Sequence, residues 1–193
     1  MAETESETSA ERVATFTAFA TVGALNTTQN ITHALLADIG DMEGTDAELV
    51  AEETLCLVAT ATARAAEVGL RDEPAVLPAV RSALLNLPYA YRNYLVGSAM
   101  IAEDNAALAE QGEQIRERLN RKQQFYTTHL PQDEFPGQHA LTDKMALWMG
   151  RVSPPKLPES PQERLDKLSL VPSLLAHLKL ILAYGRRGEA PGQ

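Results

Sequence analysis

His129, Asp133, Glu134 and His139 fall close together in the chain, with Asp143 just beyond them. Imidazole nitrogen and carboxylate oxygen are the ligand types that zinc and iron accept. His-x-x-x-Asp followed by a second His is therefore where this chain would gather a metal for hydrolysis. The segment is also broken by Pro131 and Pro136, and loops of that kind collect polar side chains for solvation alone. His129, Asp133 and His139 stand as the weak metal alternative. The primary expectation is no metal and no cofactor.

A second constellation is uncharged. Asn26, Gln29, Asn30 and His33 recur at helical spacing and share one face, with Thr17, Thr21, Thr28 and Thr32 along a neighbouring stripe. No residue from Val13 to Ala37 carries a formal charge, so the helix bearing these groups is expected to be central. Buried polar groups there need partners. Two readings follow: a ligand cavity lined by hydrogen-bonding groups, or Thr hydroxyls bonding back to the preceding turn with the amides crossing to other helices or solvent. The second is the preferred one.

The third is Pro88-Tyr89-Ala90-Tyr91-Arg92-Asn93-Tyr94, which holds three of the five tyrosines around one arginine. Such amphipathic clusters are enriched at interfaces and pockets. The plainer alternative has Tyr91 and Tyr94 plugging the core edge while Arg92 faces solvent. With Asn26, Asn30 and His33, the residues Tyr91, Arg92 and Tyr94 make up the candidate site for a ligand or partner. The basic run Arg116, Arg118, Arg121 and Lys122 is interleaved with Glu113 and Glu117 and reads as a solvated helix face.

Other chemistry finds no motif. The chain has no Gly-rich phosphate loop, no His-Glu-x-x-His, no Gly-x-Ser-x-Gly, and no Glu three positions before any histidine, which removes the di-iron pattern of helical bundles. The single cysteine, Cys56, lies in the apolar run Thr54-Leu55-Cys56-Leu57-Val58. It reads as inert packing, since a reactive thiolate needs a nearby cation or His.

Caps and periodicity describe the elements that would carry these groups. The pattern predicts a first helix over 10–39, stopped by Gly40, and a second opening at Thr45 with Glu48 as a capping box and ending at Gly69. A third is predicted from near Pro74 to Leu85. A long fourth begins at Pro88 and runs to about Tyr126, with Gly97 or Gly112 as points of division. A short helix follows over 140–149. Ser160-Pro161-Gln162-Glu163 is the strongest helix start in the chain. A final apolar helix covers 171–183, with Gly185 just past its end. Alternating strand patterns flanked by turns are absent. The expectation is an all-α bundle of about seven helices: a core bundle of the first four (10–127) and a C-terminal helical layer (138–184), forming one domain over 10–184. Residues 1–9 and 185–193 are expected to be disordered tails.

The chain has 193 residues and a net charge of -9. The first 80 residues hold 14 acids and 3 bases, a balance of -11, and the remainder 12 acids and 14 bases, a balance of +2. A net acidic chain is a poor nucleic-acid binder. The chargeless stretch is too rich in Thr and Asn to span a membrane, and the acidic leader does not fit a signal peptide. A single cysteine implies no internal disulfide, which agrees with a cytoplasmic setting.

The leading functional expectation is a non-enzymatic helical interaction or regulatory protein that forms a homo-oligomer. A small-molecule-binding bundle is the alternative, and a metal-dependent hydrolase is weaker still. The final helix motivates self-association. Leu174, Leu178 and Ile181 form one stripe, Leu175 and Leu182 adjoin it, and Leu180 lies well around the helix, so the apolar arc is wider than one buried face needs.

Overall fold

The computed structural model describes residues 8–187 apart from 101–104, 133 and 155–157, with side chains described except at 94–100, 105–111 and 187. Among these residues there are seven α-helices and no strand: α1 (Ser9–Ile39), α2 (Ala47–Gly69), α3 (Leu77–Met100), α4 (Asn105–His129), α5 (Gln138–Val152), α6 (Pro161–Lys167) and α7 (Leu170–Arg187). The chain is an all-α helical bundle.

Local chemistry explains most helix starts. Thr8 and Glu11 form a reciprocal capping box that opens α1, and Ser160 and Glu163 do the same for α6 behind Pro161. The cap of α2 differs from expectation. Asp46 accepts the Leu49 N–H at 3.0 Å, while the Thr45 hydroxyl donates to the Ile39 carbonyl at 2.7 Å and ties the α1–α2 turn to the end of α1.

Pro88 does not begin a helix. It lies inside α3, held across the missing N–H by burial of Leu84 and Leu87 on the turn before it. In place of one long helix from Pro88 to Tyr126, the described residues form α3, to Met100, and α4, from Asn105, and Gly97 and Gly112 lie inside these two helices. The expected tails also begin elsewhere. Thr8 and Ser9 belong to the start of α1, and α7 continues through Gly185 to Arg187. Residues 1–7 and 188–193 lie outside the described residues.

The hub is α2, not α1. Every residue from Glu52 to Glu67 is buried, as befits a helix packed on all sides. Its Ala and Thr side chains are small enough to let α1, α3, α4, α5 and α7 all pack against it. By contrast, α1 buries one stripe, Phe16, Ala20, Ala24, Ile31, Leu35 and Ile39, and leaves its other face open. On α7 the stripe Leu174, Leu178 and Ile181 is buried, Leu175 and Leu182 are half-buried, and Leu180 is exposed. Among the described residues no single helix is long and apolar enough to cross a membrane.

Candidate functional site

Two grooves and a buried ionic cluster bear on the candidate site; other ion pairs of buried arginines, Arg64–Glu67 and Arg164–Asp38 among them, lie elsewhere in the bundle. The ionic cluster is built on α2. Glu52 and Glu53 are buried neighbours that share Lys122, 2.8 Å from one and 3.8 Å from the other, and otherwise have separate partners. Glu52 accepts hydrogen bonds from Arg118 (Nη2 at 2.6 Å, Nε at 2.9 Å) and from Lys122 at 2.8 Å, with Arg92 at 3.6 Å. Glu53 accepts from the Tyr126 hydroxyl at 2.6 Å and from Arg151 at 2.7 and 3.0 Å. Arg151 also lies over the Phe125 ring, 4.3 Å from its centroid.

Arg118, Lys122 and Tyr126 follow one another at four-residue spacing, so a single face of α4 delivers all three to α2. The expected solvated basic face holds for Arg116 and Arg121, which are exposed, but not for Lys122, and Arg118 is only half-exposed. Lys122 is buried, and Arg118 turns inward to two glutamates, Glu48 and Glu52. The spacing was visible in the sequence. The acids that answer it lie about seventy residues away and inside an apolar run.

The cluster's electrostatics mark it as a clamp. Burial works to raise the Glu52 carboxyl pKa, but the hydrogen bonds and charges of Arg118 and Lys122 outweigh it, and the group ends below its ordinary value. Burial, then the charge and hydrogen bond of Glu53, push the Tyr126 hydroxyl up. Burial, reinforced by the charge of Glu53, pushes the Cys56 thiol up to about 12. Near neutral pH the Glu52 carboxylate is ionised and hydrogen-bonded, while the phenol and the thiol keep their protons. What the arrangement does is pin α4 and α5 to α2, since a buried ion pair resists losing either member.

The first groove lies between α1, α2 and α3. It encloses about 440 Å³ and is lined by Leu25, Thr28, Gln29, Thr32, His33 and Leu36 of α1, Ala51 and Leu55 of α2, and Tyr91 of α3. A smaller lobe of about 230 Å³ continues it past Ala51, Leu55 and Tyr91 to Pro88, Arg92, Leu119, Glu48 and Glu52. Arg92 is paired there with Glu48 and with Glu52.

The second groove lies between α1 and α7. It encloses about 480 Å³ and is lined by Ala18, Phe19, Val22, Gly23, Asn26, His177, Leu180 and Ile181. His177, which is buried, and the exposed Asn26 are its polar lining residues. The Thr62 hydroxyl donates to the Val58 carbonyl at 2.7 Å, so its oxygen accepts from His177 Nε2–H at 2.9 Å. That leaves Nδ1 as the unprotonated nitrogen, against Gly23, where a Cβ would stand 3.1 Å from Nδ1 and 2.8 Å from Cε1. Burial lowers the His177 pKa to about 4, so the ring is neutral near pH 7.

The sequence candidates therefore divide. His33 and Tyr91 meet in the α1/α2/α3 groove, and Arg92 lines its adjoining lobe. Asn26 faces the α1/α7 groove instead, and Asn30 is exposed and lines neither. The side chain of Tyr94 lies outside the described residues.

The expectation that the Thr stripe bonds back to its own helix does not hold for Thr17, Thr28 or Thr32. Their hydroxyl oxygens are closed off from water and have no hydrogen-bond partner. Of the metal alternative, His129 donates Nδ1–H to the Phe125 carbonyl at 2.7 Å and lies tilted against the Phe125 ring, His139 is exposed, and Asp133 lies outside the described residues. No group of three or more metal-ligating side chains forms among the described residues. Neither a known protein family, nor a curated protein, nor a solved structure matches this chain.

Proposed function

We propose that this chain is a non-enzymatic helical interaction protein that self-associates through the face formed by α1 and α7. One observation carries the reading. Val22 is 58% exposed and Leu180 is 46% exposed, and both line the same open groove, beside Phe19 and Ile181. Large apolar side chains clustered in the open are the usual mark of a contact surface.

Charge supports the choice of face. The chain carries a net charge of -9, so two copies repel at long range. A two-fold contact sets like residues against like, which favours a face free of charge. The lining of the α1/α7 groove contains no charged side chain, and α1 has none from Val13 to Ala37. A cytoplasmic setting accords with the lone, buried, high-pKa Cys56.

The test is the mass of the particle in solution. Light scattering coupled to gel filtration, at micromolar to hundred-micromolar protein, is expected to give a dimer or a higher species. Val22→Glu and Leu180→Glu should each return it to a monomer with helicity kept. A monomer throughout the range, or an oligomer indifferent to both substitutions, overturns the reading.

A further inference from the structure

We propose that the groove between α1, α2 and α3 is a binding site for an uncharged amphipathic small molecule, one with an apolar body and a hydroxyl or carbonyl oxygen. The inference goes beyond self-association, because this groove shares no lining residue with the α1/α7 face.

Size and lining come first. The main lobe, about 440 Å³, falls in the ~300–1,000 Å³ range of small-molecule sites. Its walls are Leu25, Leu36, Ala51 and Leu55, with the ring of Tyr91, itself 43% exposed, at the side where the smaller lobe begins.

Two groups inside this mostly apolar lobe, which Gln29 and His33 also line, ask for a ligand. Thr28 and Thr32 stand one helical turn apart on α1, and both line the lobe. Thr54, Thr60 and Thr62 of α2 all donate to the carbonyl four residues back, at 2.6, 2.8 and 2.7 Å. Thr28 and Thr32 do not; neither hydroxyl has any partner. A buried hydroxyl without a partner is costly, and native structures rarely keep two such groups side by side without a use. Threonine in a helix divides between two χ1 rotamers. Exchange between those two wells, a turn of about 120° in χ1, brings either hydroxyl toward an oxygen entering the lobe.

Charge decides the ligand's class. No charged residue lines the main lobe. In the smaller lobe Arg92 is paired with Glu48 and Glu52, and Glu52 is held further by Arg118 and Lys122. An ionic head group would find no uncompensated counter-charge, and would have to break an existing pair to gain one. A neutral oxygen meets no such cost and gains the two hydroxyls once they turn into the lobe.

The experiment uses the full chain with methyl-labelled leucine, titrated with 1-octanol and, separately, with octanoate. 1-Octanol is expected to shift the Leu25, Leu36 and Leu55 methyl signals saturably, with octanoate weaker. Thr28→Val combined with Thr32→Val keeps the shape of the lobe and removes only the two hydroxyls; it should weaken 1-octanol by about tenfold. Ala51→Phe, which fills the space where the two lobes meet, should abolish the shifts while circular dichroism is retained. No saturable shift, shifts that survive Ala51→Phe, equal or tighter binding in the double valine variant, or tighter binding of octanoate would each overturn the proposal. Light scattering on the same samples reports the oligomeric state independently, so failure here leaves the α1/α7 reading to its own test.

Discussion

Substitution of Gly185 by alanine should destabilise the bundle, and the structure sets the size of the effect. Gly185 of α7 crosses Gly69, the last residue of α2, backbone against backbone. A Cβ on Gly185 would stand 2.8 Å from both Cα and the carbonyl carbon of Gly69 and 3.0 Å from its oxygen. Carbon atoms in contact prefer about 3.5–4.0 Å, so the two helices must separate by roughly 0.7 Å or tilt. The end of α7 is poorly placed to swing away, because Arg12 donates to the Tyr184 and Gly185 carbonyls at 3.2 and 3.1 Å while pairing with Glu73. Forcing extra volume into a packed contact costs about 1–3 kcal/mol. Alanine returns up to about 1 kcal/mol as the better helix former. The net expectation is a loss of about 1–2 kcal/mol, a fall of roughly 2–8 °C in Tm for a domain of this size.

Gly112 of α4 is the matched control, since a Cβ there meets nothing within 4 Å. Gly112→Ala should gain up to about 1 kcal/mol by propensity alone. Urea titration followed by circular dichroism measures both. If Gly185→Ala is as stable as Gly112→Ala, the glycine contact does not hold α2 and α7 together and the packing argument fails.

The ionic clamp and the buried histidine give two more expectations. Glu53→Ala strands Arg151 and the Tyr126 hydroxyl and should cost about 3–5 kcal/mol in urea unfolding; a loss under 1 kcal/mol would show that solvent already relieves the pair. His177 has a folded pKa of about 4 against an unfolded value of about 6.5, so the unfolded chain binds the extra proton first. Its contribution is present above pH 6.5 and is lost as pH falls toward 4, by about 3 kcal/mol across that window. His177→Gln, which keeps a donor for Thr62, should flatten the stability profile there, and an unchanged slope would refute the assignment.

Much of the helical framework is legible in the sequence because its causes are local. A capping box is satisfied within four residues, which is why the Ser160 start of α6 reads correctly from the chain alone. The amphipathic stripe of α1 and the unequal faces of α7, with Leu180 turned out, follow from helical spacing in the same way. Where a nearby alternative competes, the local reading slips. Asp46 takes the cap from Thr45, and Pro88 is carried inside α3 by the buried leucines before it.

Everything that depends on residues far apart in the chain was decided by tertiary structure. Arg118 and Lys122 of α4 look like part of a solvated face until Glu52 and Glu53 stand opposite them. Gly185 looks like a helix terminator until Gly69 lies across it. His33 and Tyr91 were candidates for a shared site, but only the packing of α1 and α3 around α2 brings them into one groove while sending Asn26 to another. The reason is physical: caps and periodicity are set by neighbours within a turn or two, whereas a salt bridge, a close crossing or a cavity depends on which distant segment arrives to complete it.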